Sequence, residues 1–153
     1  MYKSAIRWMV RRNIAQVNAG NYRPALAMFS RNAVLSFPGD NTWSNQFRPV
    51  QLGRHSTESH RGRAEIQAFM QRFVDMKIEM VVEDVLVNGP PWNLRIAARV
   101  HHWIVIPNGE DIYTNRAVLF ATSRWGRIVE QEDYEDTTRV ADFDDYLSRQ
   151  PDV

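Results

Sequence analysis

His101, Arg116 and Asp133 are residues whose side chains could together move a proton and stabilise a developing negative charge. A carboxylate can serve as a general base, and an imidazole can exchange a proton near neutral pH. A guanidinium can stabilise the oxygen of an enolate or an alkoxide. We therefore predict acid–base chemistry at these three residues, provided that the fold brings them together.

An Asn108-Gly109 turn joins His101 to Arg116 in a predicted β-hairpin. The dipeptide lies between two apolar runs, residues 94–106 and 112–122, and both of its residues accept the positive φ that a type I′ turn requires. A two-residue loop at this position sets His101 directly opposite Arg116. Opposed side chains in antiparallel strands have Cβ atoms roughly 4.5–5.5 Å apart, so we expect the two to share one face.

A second turn, over residues 123–126, decides the position of Asp133. As a four-residue loop it sets Asp133 opposite Arg116, which completes the line of three side chains. A tighter turn at Trp125-Gly126 would set Asp133 opposite Val118 instead, one diagonal step from Arg116. A single bulge in either strand would move a side chain to the other face of the sheet.

The elements that must position these residues predict an α+β fold, with N-terminal helices packed on a curved, mainly antiparallel sheet in a cone-shaped barrel. Strands of about 10–13 residues coil and bend, so we expect a concave interior, the common place for a ligand site. Residues 40–60 are predicted to form a long loop. The predicted helices cover residues 4–19, the segment from Pro24, residues 63–76 and a short C-terminal segment; the predicted strands cover 33–37, 78–87, 94–106, 112–122 and 127–134.

Composition narrows the functional classes. The 153 residues fit one domain, predicted over 1–153, and the absence of cysteine excludes disulfides, thiolate catalysis and cysteine-ligated zinc. A net charge of +1 disfavours nucleic-acid binding, and no apolar stretch is long enough to span a membrane, so we expect a cytoplasmic protein. The sequence has no glycine-rich phosphate-binding loop, so we expect no organic cofactor. His55 and His60 could bind a metal, but the sequence offers no compact set of further ligands near them.

Four segments carry a resemblance to a known fold: residues 18–21 (Asn-Ala-Gly-Asn), 33–39, 60–69 (with the spacing His60-x-Gly62-x-x-x-Ile66) and 126–130 with 133–136. The chain resembles the nuclear-transport-factor-2-like superfamily, in particular its SnoaL-like and ketosteroid-isomerase-like branch. The resemblance implies a cone-shaped α+β barrel with an internal pocket, and a homodimer. Members of this superfamily include isomerases, epoxide hydrolases, polyketide cyclases, dehydratases and binding modules without catalytic activity.

Ketosteroid isomerases place a tyrosine, an aspartate base and a protonated aspartic acid where this chain has Asn13, Phe37 and Val118. The resemblance therefore does not imply steroid isomerisation by that mechanism. Asn13 lies in the apolar stripe of the first helix, where it could orient a water or a substrate oxygen. It could equally bond a neighbouring backbone carbonyl.

Limonene-epoxide-hydrolase-like enzymes carry an Arg-x-Asp pair on one strand and an aspartate base on the next. Arg116 and Asp133 match the arginine and the base, whereas Val118 replaces the acid of the pair. SnoaL-like cyclases also use a pocket aspartate that matches Asp133. His101 falls on a position that the resemblance assigns to the pocket, where related dehydratases use histidines.

We therefore expect a small-molecule enzyme that needs no cofactor and acts on a mostly apolar, oxygenated compound by a cyclase, dehydratase, isomerase or epoxide-hydrolase type of reaction. Asp133 would act as general base, His101 as its proton partner and Arg116 as electrostatic stabiliser. The alternative is a non-catalytic ligand-binding or dimeric assembly module, since Phe37 and Val118 are apolar where relatives place acids. The predicted substrate contacts are Asn13, Phe37, Trp103, Val118 and Phe120.

The expected homodimer uses the outer face of the sheet, because apolar residues on a solvated face would leave a patch that monomers rarely expose. The candidate interface residues are Val100, His102, Ile104, Tyr113 and Leu119.

Overall fold

Helices pack against one long sheet in the computed structural model, which describes residues 1–39, 59–105 and 111–149. The predicted α+β class is confirmed, and so is each predicted helix and strand to within a few residues. The predicted loop 40–60 lies outside the described residues except for Ser59 and His60, which begin a short strand. The elements are α1 Tyr2–Asn18, α2 Arg23–Met28, β1 Phe29–Ser36, β2 Ser59–Arg61, α3 Gly62–Asp75, β3 Glu79–Asn88, β4 Leu94–Val105, β5 Asp111–Arg124, β6 Arg127–Glu135 and α4 Thr137–Ser148.

The described strands form one open, curved sheet in the order β2-β1-β6-β5-β4-β3. The antiparallel meander β3-β4-β5-β6 is the one predicted from the turns. Two features were not predicted: strand β2, and the parallel pairing of β1 with β6. Both join segments that are distant in the chain, so no local pattern of residues indicates them. Among the described residues, no helix is long and apolar enough to cross a membrane.

The β4–β5 hairpin has the predicted register, with His101 opposite Arg116. The register holds from Leu94 to Ile104 and shifts at Val105, and the predicted Asn108-Gly109 turn lies outside the described residues. The predicted pairing of His101 with Arg116 is therefore confirmed.

The β5–β6 hairpin differs from the prediction, and this difference changes the position of Asp133. Its turn is the tighter alternative, since Trp125 and Gly126 both have positive φ, 50° and 78°. The register then shifts by one residue, with Val129 as the extra residue of a β-bulge, and Asp133 pairs with Leu119. The predicted pairing of Asp133 with Arg116 is wrong, and so is the alternative pairing with Val118.

This one-residue shift places Asp133 on the opposite face of the sheet from His101 and Arg116. The helices cover the inner face, where Asp133 is buried, while Arg116 is exposed on the outer face. The predicted interface residues Val100, His102, Ile104, Tyr113 and Leu119 are also on the inner face, and four of them are fully buried. Their assignment to an outer dimer interface is therefore wrong.

Helix α1 covers the inner face beside β3, the edge strand of the sheet. Asn18 bonds both backbone groups of Met80, donating from Nδ2 to the carbonyl at 2.7 Å and accepting from the amide at 2.9 Å. Arg7 and Arg11 donate to two further carbonyls of β3. Because edge strands present unpaired backbone groups, these contacts fix α1 and satisfy part of the edge together.

Candidate functional site

A cavity of about 180 Å³ lies between the helices and the inner face of the sheet. Most of its lining is apolar and comes from every layer of the fold. Helix α1 contributes Ile6 and Val10 to the lining, helix α3 contributes Phe69, and β5 contributes Leu119. Phe37, the residue after β1, also lines the cavity. Concave apolar cavities of this kind, with a few polar groups, are typical of small-molecule sites.

The polar groups of the cavity are concentrated on the sheet. Successive side chains of a strand point to opposite faces, so Gln131, Asp133 and Glu135 reach the same side of β6. Helix α1 adds an amide to this group across the cavity. The polar lining residues are Asn13, His102, Ser123, Gln131, Asp133 and Glu135.

Asp133 is the most perturbed acid of the site. Its side chain is buried, and Oδ1 accepts a hydrogen bond of 2.8 Å from Gln131 Nε2. Burial raises the pKa of Asp133 from 3.8 to about 8, with the hydrogen bond from Gln131 opposing the rise and the nearby Glu135 adding to it. Asp133 therefore carries a proton for much of the time at neutral pH, and it can both donate and accept one.

His102 belongs to a buried polar network next to Asp133. Its Nε2 lies 3.2 Å from the Tyr113 hydroxyl and 3.5 Å from Glu135 Oε2. The Tyr113 hydroxyl donates to Glu135 Oε2 at 3.4 Å, and Asn115 Nδ2 donates to that hydroxyl at 3.1 Å. Burial raises the pKa of Tyr113, and the charge of Glu135 adds to this rise, so the hydroxyl stays protonated. The network holds one imidazole and one carboxylate at the cavity wall.

His101 and Arg116 do not join Asp133. His101 Nε2 is 2.7 Å from the Thr114 hydroxyl on the outer face. Arg116 Nε donates to Glu83 Oε1 at 3.1 Å, also on the outer face, and its side chain is 71% exposed. The prediction that these three side chains share one face is therefore wrong, and the bulge at Val129 is the physical reason.

The predicted substrate contacts divide between the two faces. Asn13 and Phe37 line the cavity. Trp103, whose ring lies 5.2 Å from that of His101, is on the outer face, and Val118 and Phe120 are exposed there. The structure therefore contradicts the predicted pocket position of these last three residues.

The structure also describes Asn13, a predicted substrate contact, and His60, which was considered as a metal ligand. The Asn13 side chain has no hydrogen-bond partner in the part of the chain that the structure describes, so its amide is available to a ligand. His60 is 2% exposed, and its ring lies against Phe37 and Phe69, whereas His55 lies outside the described residues. In the described ranges no group of three or more metal-ligating side chains comes together.

Sequence reasoning missed His102 and Glu135. One signal could have found the first: along β4, the alternate positions 94, 96, 98, 100, 102 and 104 are all apolar except His102. Such alternation marks the buried face of a strand, whatever the turn that follows. Glu135 has no comparable signal, because its face depends on the bulge.

A family model, the SnoaL-like domain, matches residues 10–131. An NTF2-like protein from Burkholderia xenovorans LB400 is similar in structure, with a TM-score of 0.56 and 16% identity over 88% of this chain and 91% of that chain. TerC, co-crystallized with polyporic acid, has a TM-score of 0.67 and 14% identity over 92% and 97%. A loop-truncation variant of IdmH has a TM-score of 0.63 and 18% identity over 87% and 94%. No curated protein matches the sequence.

Proposed function

The chain belongs to the SnoaL-like domain family, and we propose that it is a small-molecule enzyme in which Asp133 transfers a proton to and from a mostly apolar, oxygenated substrate. The position of Asp133, an acid with a pKa of about 8 inside an apolar cavity, carries this proposal. A carboxyl group with a pKa near the working pH can take a proton from carbon or from water and return it. Cyclase, dehydratase, isomerase and epoxide-hydrolase types of reaction use such a group.

His102 takes the part that the sequence suggested for His101. Its imidazole lines the same cavity as Asp133, and its Nε2 lies 3.5 Å from Glu135 Oε2, so the ring is placed to exchange a proton with a ligand in the cavity. Asn13 can donate a hydrogen bond to the substrate oxygen from the opposite wall. Arg116 has no part in this mechanism, because its guanidinium is on the outer face.

The test compares three variants on one panel of terpenoid epoxides and aromatic polyketides, with hydroxy acids and polyporic acid as its acidic members. Asp133→Asn should lower turnover by about 10²–10⁴-fold, the usual contribution of a positioned acid or base, while ligands still bind. His102→Gln should lower turnover as well. His101→Gln is the matched control, because its side chain lies on the other face, and it should behave as the unaltered protein does. Full turnover in Asp133→Asn would refute the proposed role.

A second candidate is a binding or assembly module without catalysis. Phe37 favours it, since this cavity residue is apolar where the ketosteroid-isomerase-like relatives place their base. Ligands that stabilise the protein and are recovered unchanged would support this second function over the first.

We also propose a homodimer, with the interface moved to other residues than the sequence suggested. The outer face of the sheet exposes several large apolar side chains: Val81 is 50% exposed, Val118 37%, Phe120 38% and Tyr134 48%. Large exposed apolar side chains on one face of a sheet are typical of an interface. A cytoplasmic location remains the prediction from the sequence.

A further inference from the structure

The cavity has an uneven set of charges. Among its described lining residues there is no lysine and no arginine, whereas two carboxyl groups, Asp133 and Glu135, lie on β6. The remaining titratable group is His102, and Glu135 Oε2 lies 3.5 Å from its Nε2, so a positive charge on that imidazole would already be matched. No cation among the described lining residues is therefore free to pair with an anionic ligand.

We propose that the cavity binds uncharged ligands that carry a carbonyl, ether or epoxide oxygen, and that it excludes carboxylates and other anions. The inference rests on the proposed use of this cavity as the ligand site, and it names the class of compound that the site accepts.

The exclusion follows from the cost of moving a charge. A carboxylate that leaves water for an apolar cavity loses its hydration, and only a cation or several hydrogen-bond donors can offset that loss. Glu135 adds repulsion, because a second negative charge in the same cavity interacts more strongly there than in water. The apolar walls accept the rest of a neutral ligand of the same shape without this cost.

The preference for an oxygen acceptor follows from the hydrogen bonds of Asp133. Gln131 Nε2 donates to Oδ1, and within the described ranges Oδ2 has no hydrogen-bond partner. The protonated carboxyl group therefore carries its hydrogen on Oδ2 and donates it to an acceptor in the cavity. Asn13 supplies a second donor from α1, so a ligand oxygen can be held between two elements.

The size of the cavity suggests the probes. A protein cavity of roughly 150 Å³ lined by apolar side chains accepts benzene, so 180 Å³ fits a slightly larger ring system. We choose acetophenone and benzoate, which share a ring and a carbonyl and differ in charge at neutral pH. 2-Acetonaphthone and 2-naphthoate form a larger pair of the same design. Binding is measured by isothermal titration calorimetry at pH 7, with benzene and naphthalene as the ligands that lack an oxygen.

We expect each ketone to bind at least tenfold more tightly than its matched carboxylate. The ratio of the dissociation constants of carboxylate and ketone should decrease in Glu135→Gln, which removes one carboxylate from the cavity. It should stay the same in Glu130→Gln, because Glu130 is exposed on the same strand. Carboxylates that bind as tightly as the ketones, or failure of every neutral probe to bind, would overturn the inference. The assay needs no turnover, so selective binding together with full turnover in Asp133→Asn would refute the proposed function and leave this inference standing.

Discussion

Replacing Asp133 with asparagine should stabilise the fold at neutral pH, and the gain should disappear in acid. Asp133 has a higher pKa in the folded protein than its ordinary value of 3.8, because burial disfavours the carboxylate. The folded state therefore holds the proton more tightly than the unfolded state does. The stability that this proton provides is complete below pH 3.8 and is lost as the pH rises towards 8.

The magnitude follows from the two pKa values. Between the ordinary pKa and pH 7, each pH unit lowers the free energy of unfolding by about 1.4 kcal/mol, which gives a loss of about 4 kcal/mol at pH 7. Asparagine is nearly isosteric and has no proton to lose, so it avoids this loss. A change of about 4 kcal/mol is a large part of the roughly 5–15 kcal/mol that stabilises a typical domain.

The assay is urea denaturation of both proteins at pH 4, 5.5, 7 and 8.5, with thermal unfolding as a second measurement. The difference between Asp133→Asn and the unaltered protein should grow from under about 1 kcal/mol at pH 4 to about 4 kcal/mol at pH 7. At 2–4 °C per kcal/mol, the latter raises Tm by roughly 10 °C. Glu130→Gln is the matched control and should stay within about 0.5 kcal/mol throughout. A difference that does not vary with pH, or that has the opposite sign, would refute the reasoning.

Gln131→Met removes the hydrogen bond that opposes the shift, so it should raise the pKa of Asp133 above 8, as measured by NMR titration of the carboxyl carbon. Phe120→Glu should convert the proposed dimer to a monomer in light scattering, whereas Trp8→Glu, an exposed site on α1, should not; a monomeric unaltered protein would contradict the interface. Asn18→Ala breaks the two hydrogen bonds of this side chain with the backbone of Met80 and should cost about 1–3 kcal/mol in denaturation, and no loss would show that the remaining contacts are enough to fix α1.

The sequence predicted the elements of this fold well because their signals are local. Helical spacing in α1 and the two apolar runs of the β4–β5 hairpin each depend on residues close in the chain. Strand β2 and the parallel neighbour of β6 depend on packing between distant segments, and sequence periodicity carries no information on that packing.

The candidate site was predicted in part, and the errors have one origin. Asn13, Phe37 and Asp133 line the cavity, whereas His101, Arg116, Trp103, Val118 and Phe120 do not. The partners of Asp133 were assigned by counting residues across a turn, and one bulged residue, Val129, reverses that count. Register and face are separate properties: His101 has its predicted opposite residue and still lies on the outer side of the sheet.

The energetic conflict at Asp133 is a stronger argument for its proposed role than the residue count across the turn. A leucine at this position would extend the apolar lining, and an asparagine would keep the hydrogen bond partner of Gln131 without a titratable proton. The aspartate instead lies beside another carboxyl group, Glu135, with no cation among the described lining residues. A purely structural buried acid is normally paired with a cation or fully hydrogen-bonded, whereas Oδ2 of Asp133 has neither among the described residues. The proton on that oxygen is the feature that a stable fold does not need and that acid–base chemistry does.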